Sequence, residues 1–182
     1  MPTIISHAAV PLALGFGFGV HLISRRLQLA GVAASMAPDL DVAGFHWHIA
    51  YADAFGHRGA SHSLAFAVML GLLAVTFAPN LKAGRKAAFL FVACSAASHG
   101  LLDMLTNGGL GVAVLWPFSA ERFFFPWQPI AVAPFGLRVL SDVRGLAIFC
   151  SEFLWVWLPA ATCALILRLM CIRFRSGIDA IE

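Results

Sequence analysis

The sequence predicts an all-α membrane protein with about four transmembrane helices and one short half-helix. Two observations predict this class. Of the 182 residues, 60% are hydrophobic and only 12% are charged, whereas soluble domains are about 45–50% apolar and about 25% charged. Four stretches are also apolar over about 18 residues or more, enough to cross a bilayer core. We therefore expect a single integral membrane domain over residues 1–182.

Each helix is predicted from an apolar run and from the residues that end it. The first is expected to be a retained helix and not a signal peptide, because Arg25 and Arg26 follow its apolar run instead of preceding it. Pro38 is predicted to stop the second helix, which is too short to cross alone. Pro159 is predicted to kink the last. The predicted spans are 6–24, 61–78, 87–106 and 145–170, with the half-helix at 27–37.

A segment rich in proline, glycine and aromatic residues separates the last two spans, over 110–144. It contains WPFSAERFFFPWQPI, a composition typical of an interfacial aromatic belt. We expect it to anchor the protein at the headgroups, and a role as a lid over a substrate stays open. The four cysteines form no short metal-ligand pair and are expected to be small buried hydrophobes.

Basic residues give the predicted orientation. An alternating path places eight of them on one face, which is predicted to be cytoplasmic because cytoplasmic loops are enriched in Lys and Arg. These are Arg25, Arg26, Lys82, Arg85, Lys86, Arg168, Arg173 and Arg175. The other face receives Arg58, Arg122, Arg138 and Arg144.

Seven potential metal ligands converge on that second, non-cytoplasmic face. Histidines and carboxylates are costly at membrane depth, so such a cluster indicates a functional site. The ligands occur in four stretches of the metal-motif region 1–110, namely SHAAVP, PDLD, HRGASHS and HGLLDMLT. They are His7, Asp39, Asp41, His57, His62, His99 and Asp103.

Their spacing and chemistry favour a divalent metal site. His99 and Asp103 are four residues apart and share one helix face. In HRGASHS, two histidines flank a glycine turn and a serine that can cap a helix. Imidazole with carboxylate suits Zn²⁺, and also Mn²⁺ or Fe. Seven candidates exceed the four ligands of a structural zinc site, so one or two ions are possible, and Asp41 is predicted to ligate, to bridge or to act as a base.

Three further groups of polar residues have two interpretations each. Arg58 either stabilises negative charge that develops on a phosphoryl or acyl group or extends to the headgroups. Glu152 lies on the site's side of the last helix and is either an outer partner of the metal ligands or one member of an ion pair. His46 and His48 are either extra ligands or interfacial residues.

The motifs together resemble those of the YdjM-type (LexA-regulated) inner-membrane family of metal-dependent hydrolases. The matching blocks are PD-x-D at residues 38–41, HRG-x-[ST]-HS at 57–63 and H-x-x-x-D at 99–103, and the resemblance covers about residues 1–120. They are more distantly similar to blocks of zinc-dependent phospholipase C proteins. The resemblance implies a membrane-bound hydrolase and leaves its substrate open.

We therefore expect a metal-dependent hydrolase of the inner (cytoplasmic) membrane, cleaving a phosphoester or ester of a lipid-like substrate with metal-activated water. The predicted ligands are His7, Asp39, His57, His62, His99 and Asp103. The alternatives are a non-enzymatic protein with a structural metal site, and a metal or solute transporter. No basic run with interleaved aromatic residues occurs, so nucleic acid is not an expected partner. The expected partner is membrane lipid.

Overall fold

A computed structural model describes residues 2–132 and 143–179 of the chain. The predicted interfacial residue Arg138 lies outside these residues. The described chain is helical, and its only β pairing consists of two isolated bridges. Its α-helices are α1 (Ala9–Phe18), α2 (Arg25–Met36), α3 (Leu64–Thr76), α4 (Arg85–Met104), α5 (Val143–Glu152) and α6 (Leu158–Asp179).

Helix α4 is the central element of the bundle. Helices α2 and α3 both pack against it, and α1 packs mainly against α6. A cluster of buried side chains joins α2, α3 and α4, and it includes Leu27, Ala67 and Phe91. A smaller cluster joins α1 to the final helix through Ala9 and Val156. The bundle thus holds the ends of α1, α2 and α4 close together.

Two helices among the described residues, and not the predicted four, are long and apolar enough to span a membrane. They are Arg85–Met104 and Gly145–Phe174, while Ser6–Phe18 and Leu64–Thr76 are shorter apolar helices. The shorter helices lose residues to turns. The first ends at Gly19, whose φ of 75° leaves the helical region, and α3 begins only after Ser63, whose hydroxyl caps it by accepting from the Phe66 N–H.

Helix α2 ends close to the stop predicted at Pro38. The α-helix ends at Met36, but a 3₁₀ helix continues over Ala37–Trp47. Proline is tolerated there because the first positions of a helix have no intrahelical partner for their N–H groups. The change of helix type carries Asp39 back into the bundle, where it is 2% exposed.

The last helix changes its hydrogen-bonding pattern just before Pro159. A π-helical turn over Phe153–Trp157 separates α5 from α6. Because proline has no N–H, the carbonyl four residues earlier cannot receive its normal bond, and π turns are a common result of such local mismatch. Helix α6 also runs to Asp179, beyond the predicted end at 170.

The described part of the aromatic segment, 110–132, packs over the end of the bundle that holds the motif residues. Its Ala113 N–H donates to the Arg58 carbonyl at 2.9 Å, and the Val114 carbonyl accepts from Leu64 at 3.0 Å. The cysteines were expected to be buried, but Cys94, Cys150 and Cys163 are exposed and Cys171 is half-buried. They point away from the bundle, on surfaces that apolar neighbours also occupy.

Candidate metal centre

Five predicted ligands from four parts of the chain meet at one point of the bundle. His7 lies in a 3₁₀ turn before α1, Asp39 in the 3₁₀ helix after α2 and His62 in a turn before α3. His99 and Asp103 lie one helical turn apart near the end of α4. All five are between 0% and 4% exposed.

The donor atoms of these residues surround a common centre. His62 Nε2 lies 3.0 Å from His99 Nε2 and 3.3 Å from an Asp103 oxygen. His99 Nε2 lies 3.4 Å from Asp39, and His7 Nε2 lies 3.8 Å from Asp103 and 3.9 Å from Asp39. Donors bound to one zinc ion at about 2.0–2.1 Å in tetrahedral geometry are about 3.3 Å apart. The spacing therefore fits donors that share a small cation.

The charge balance of the buried groups also fits a divalent cation. Asp39 and Asp103 are buried carboxylates, Asp41 is a half-buried carboxylate behind them, and Arg58 is the buried guanidinium beside Asp103. With all histidines neutral, as metal binding requires, the formal charge of this group is −2. Uncompensated buried charge is strongly destabilising, so a divalent cation would neutralise it.

Unbonded polar atoms point to the same centre. Both ring nitrogens of His7 and both carboxylate oxygens of Asp39 are buried and make no hydrogen bond within the described chain. Buried polar atoms in proteins almost always have a partner, an exception often marking an ion or water site. The residues present therefore fit a bound metal.

Hydrogen bonds fix which nitrogen of two histidines faces the centre. The Nδ1 of His99 lies 2.6 Å from the Ser35 carbonyl, to which it can only donate. The Nδ1 of His62 lies 3.1 Å from Asp41 and 3.0 Å from the Ser61 hydroxyl. Each outer contact places the proton on Nδ1 and leaves Nε2 as the ligand atom, as outer partners of metal-bound histidines commonly do.

Asp41 stands behind the histidines and not among the five inner donors. One of its oxygens lies 2.7 Å from His57 Nδ1, and the other accepts from the Ser61 hydroxyl at 2.6 Å. Burial raises the pKa of Asp41, but hydrogen bonds from His57 and His62 outweigh this and hold the pKa well below its usual value. Asp41 is thus an ionised carboxylate that orients both rings.

His62 gains a proton from the same surroundings. Burial lowers its pKa, but hydrogen bonds to Asp103 and Asp41 act more strongly together and raise the pKa to about 9. In the metal-free site the ring therefore carries a proton at neutral pH. A metal must displace that proton, because only neutral imidazole is a ligand.

Arg58 is fully buried and forms an ion pair with Asp103. Its Nε lies 3.0 Å from an Asp103 oxygen, and its terminal nitrogens donate to the Gly108 carbonyl at 2.8 Å and to the Thr106 hydroxyl at 2.9 Å. Its backbone has a φ of 63°, a left-handed conformation that is unusual for a residue other than glycine. The loop thus accepts backbone strain and places the guanidinium against a predicted ligand, away from the headgroups.

His57 lies next to the five inner donors in a second group. Nitrogen or oxygen atoms of Asp39, His57 and His62 all lie within 4.8 Å of one another, as do those of His7, His99 and Asp103. The ring of His57 meets that of His62 edge to face, with centroids 5.2 Å apart. Arg122 holds this loop in place by donating to the His57 carbonyl at 3.0 Å.

Glu152 holds the segment that carries His7. Its carboxylate accepts from the Thr3 N–H at 2.5 Å and from the Thr3 and Ser6 hydroxyls at 2.6 Å each. Ser6 also accepts from the Trp157 indole at 3.0 Å. Glu152 contacts none of the five inner donors directly, so it acts on His7 through the neighbouring residue.

Several groups that position the metal ligands could not be predicted from the sequence. The Ser35 carbonyl that fixes His99 has no signature, because every residue has a carbonyl. A side chain at Gly100 would place its Cβ 2.7 Å from the His62 carbonyl, so glycine is what allows His62 to approach α4. His46 and His48, considered as extra ligands, are exposed and lie outside the cluster.

The fold and the site define the class of this protein as an all-helical membrane protein with a buried histidine and aspartate cluster that can hold a metal ion. Residues 1–176 match the family described as the YdjM inner membrane protein, and the chain belongs to that family. It is 49% identical over 160 residues to the inner membrane protein YbcI of Escherichia coli (strain K12), which covers 87% of this chain and 92% of that protein. No solved structure matches.

Proposed function

We propose that this protein is a membrane-bound metal-dependent hydrolase that cleaves a phosphoester or ester of a lipid-like substrate. The observation that supports it is the set of five convergent donors, backed by an oriented carboxylate, Asp41, whose other side borders an apolar groove. A divalent ion, zinc by this donor set and manganese as the alternative, supplies Lewis acidity and activates water for hydrolysis.

The inner donors would hold one ion, and the outer residues would keep them in place. These donors are His7, Asp39, His62, His99 and Asp103. Asp41 orients His57 and His62 from its position beside the groove, and its low pKa favours this role over that of a general base. Arg58 holds Asp103 and balances its charge. His57 would serve as the sixth donor or as a ligand to a second ion, which metal stoichiometry distinguishes.

We also propose a multi-pass topology with the site on the non-cytoplasmic side. Basic residues meet at the opposite end of the bundle, where Arg26 donates to the Asn80 carbonyl at 3.0 Å and the Ser24 hydroxyl bonds the Leu81 carbonyl. Excess Lys and Arg favour the cytoplasm. An impermeant thiol reagent applied to whole spheroplasts should label a cysteine introduced at Asp53 and spare one at Lys82, in a variant lacking the native cysteines. The reverse pattern would contradict this orientation.

Metal analysis combined with hydrolysis assays tests the enzymatic proposal. Purified wild-type protein should retain about one equivalent of divalent metal and cleave lipid in phosphatidylethanolamine–phosphatidylglycerol vesicles. His62→Ala should lose both properties. Asp41→Asn should keep the fold and lose about 10–100-fold in metal affinity, as for other outer partners of metal-bound histidines. His46→Ala, at an exposed histidine outside the cluster, is the matched control and should change neither.

A structural metal site is the second candidate, favoured by the burial of every inner donor. A purely structural metal would be required for folding and would leave no position for substrate. A His62→Ala protein that stays folded while it loses metal and hydrolysis supports the enzyme. A wild-type protein that holds metal, hydrolyses none of the lipids offered and unfolds when chelated supports the structural site.

No observation among the described residues favours the transporter alternative. In the part of the chain that the structure describes, the buried charged side chains all lie at the site end of the bundle, and α4 continues toward Arg85 through Phe91 and Val92. A transport path would need polar groups along that length.

A further inference from the structure

Helices α2 and α3 leave a groove between them although both pack on α4. Three alanines of α2, Ala33 among them, and Ala37 just after it face Leu73 of α3 and Phe77 at its end across a space of about 330 Å³, with Val92 of α4 in its lining. The alanine side chains are too short to reach α3. The lining is almost entirely apolar, and Leu73 and Phe77 are each 53% exposed.

A second groove adjoins this one and reaches Asp41, which stands behind the metal centre. It has a volume of about 540 Å³ and shares Ala37 with the first. Phe66 and Met69 of α3 contribute apolar surface to it, and its polar side chains are Asp41 and Ser61. These two are bonded to each other at 2.6 Å and contact His62. Together the two grooves form a track whose polar side chains lie at the Asp41 end.

The length and chemistry of this track fit one lipid chain. Helix α3, which forms one wall of the track, has 13 residues, or about 20 Å at 1.5 Å per residue. This length is enough for a chain that crosses one leaflet, which is about 15 Å of the 30 Å hydrocarbon core. Apolar walls match methylene groups, and the polar end matches the linkage between a chain and its headgroup.

We infer that the α2–α3 track binds a single acyl chain of a membrane lipid and brings the ester or phosphoester linkage of that lipid to Asp41 and Ser61. The inference rests on the proposed function, because it names the substrate class of the same site. It assigns α2, too short to span the membrane, a purpose as one wall of the track. The length of the acyl chain should then decide which residues its end contacts.

Photo-crosslinking with lysophosphatidylglycerol that carries a diazirine at the end of its chain tests this directly. In phosphatidylethanolamine nanodiscs, a stearoyl probe should label mainly Leu73 and Phe77, and a lauroyl probe mainly Phe66 and Met69. Labels spread equally over exposed residues of α6, such as Leu165 and Leu169, would overturn the inference, since bulk lipid would produce that pattern. A crosslink to a second copy of the chain at the track would also overturn it.

Filling the far half of the track should shorten the chain that it accepts. Ala33→Trp is expected to reduce track labelling by the stearoyl probe about tenfold, or about 1.4 kcal/mol, because the indole would occupy the space where the chain end lies, and to leave lauroyl labelling unchanged. The matched control is Ala147→Trp, at an exposed alanine of α5, which should affect neither probe. Ala33 is exposed, so the melting temperature should stay near that of the wild type. Equal stearoyl labelling in both variants would contradict the track.

The failure of this inference can be separated from the failure of the proposed function. Labelling is measured with chelator present and again in His62→Ala, where no hydrolysis is possible. Chain-length-dependent labels that persist there support the track even if the protein proves not to hydrolyse lipid. Metal-dependent hydrolysis with scattered labels would support the enzyme and overturn the track.

Discussion

The two helices long enough to span a membrane have opposite relations to the rest of the protein. In α4, 61% of the membrane-length segment is buried inside the bundle, against 11% for the final helix over Gly145–Phe174. Helix α4 contributes His99 and Asp103 to the metal centre. The final helix contributes one buried acid, Glu152, which holds the segment preceding His7.

This difference shows how a small membrane protein can separate its tasks. Hydropathy alone makes both helices candidates for spanning the membrane. Burial distinguishes them: α4 is the scaffold, enclosed by other helices, and the final helix is the cover, which is mostly exposed. The scaffold can place two ligands accurately because neighbours fix it on several sides. The cover needs only one strong polar contact to hold the N-terminal turn. Three predictions test this contrast, in order of expected effect.

Breaking the ion pair on α4 should have the largest effect. Asp103→Ala leaves the Arg58 guanidinium buried without its partner, so the free energy of unfolding should fall by about 3–5 kcal/mol and metal should be lost. Thermal unfolding in detergent and metal analysis measure the two effects. The double variant Asp103→Ala/Arg58→Met should recover part of the stability and none of the metal. Equal stability of single and double variants would argue against the pair.

Removing the one buried acid of the final helix should cost less. Glu152→Ala removes the acceptor of three hydrogen bonds from Thr3 and Ser6, and a loss of about 2 kcal/mol is expected for bonds to a charged group. Metal should still bind, with lower affinity because His7 is less constrained. Glu152→Gln keeps one acceptor and is the milder control. Complete metal loss in Glu152→Ala would place this residue nearer the centre than the contacts indicate.

The same small substitution should distinguish the two helices by their packing. Ala96 in α4 is 3% exposed, and Ala161 in α6 is exposed. Ala96→Val should cost about 1 kcal/mol through overpacking, and Ala161→Val should stay within about 0.5 kcal/mol. The change in helix propensity is identical in both, so the melting temperatures isolate packing. Equal shifts would mean that the exposed face of α6 at Ala161 is also packed.

Outside this order, the protonation of His62 should give the most specific effect, because it depends on pH. Its pKa in the folded, metal-free protein is about 9, above the ordinary value of 6.5. The stability from this group is therefore fully present below about pH 6.5 and is lost as the pH rises toward 9. With chelator present, the melting temperature of wild type should fall over this range more than that of His62→Gln. Parallel curves would contradict the assignment.

The sequence was most informative where chemistry is confined to short motifs. The spacing of His99 and Asp103 predicted a shared helix face, and both lie in the cluster with His7, Asp39 and His62. The YdjM family assignment is confirmed by the family match and by the relative YbcI. The predicted number of spans was wrong because apolar residues at the ends of α1 and α3 enter turns, which hydropathy does not detect.

Other features depended on contacts between distant parts of the chain. The sequence left Asp41 as ligand, bridge or base, and left Arg58 as a charge stabiliser or a headgroup contact. In the structure Asp41 lies behind His57 and His62, and Arg58 lies against Asp103. Neither position follows from spacing, since the partners are up to 45 residues away and depend on loop conformation. Whether these residues take part in catalysis stays a prediction.

By itself, the sequence determined the membrane class, the helical character and the residue types that can ligate a metal, because composition and local spacing encode them. Only the tertiary structure decided which donors share a centre, which carboxylate orients the rings and which spanning helix is the scaffold. The physical reason is that apolar surface is nearly uniform along this chain, so hydropathy cannot say which helix faces protein and which faces lipid. Packing around α4 makes that choice, and the polar contacts at its end follow from it.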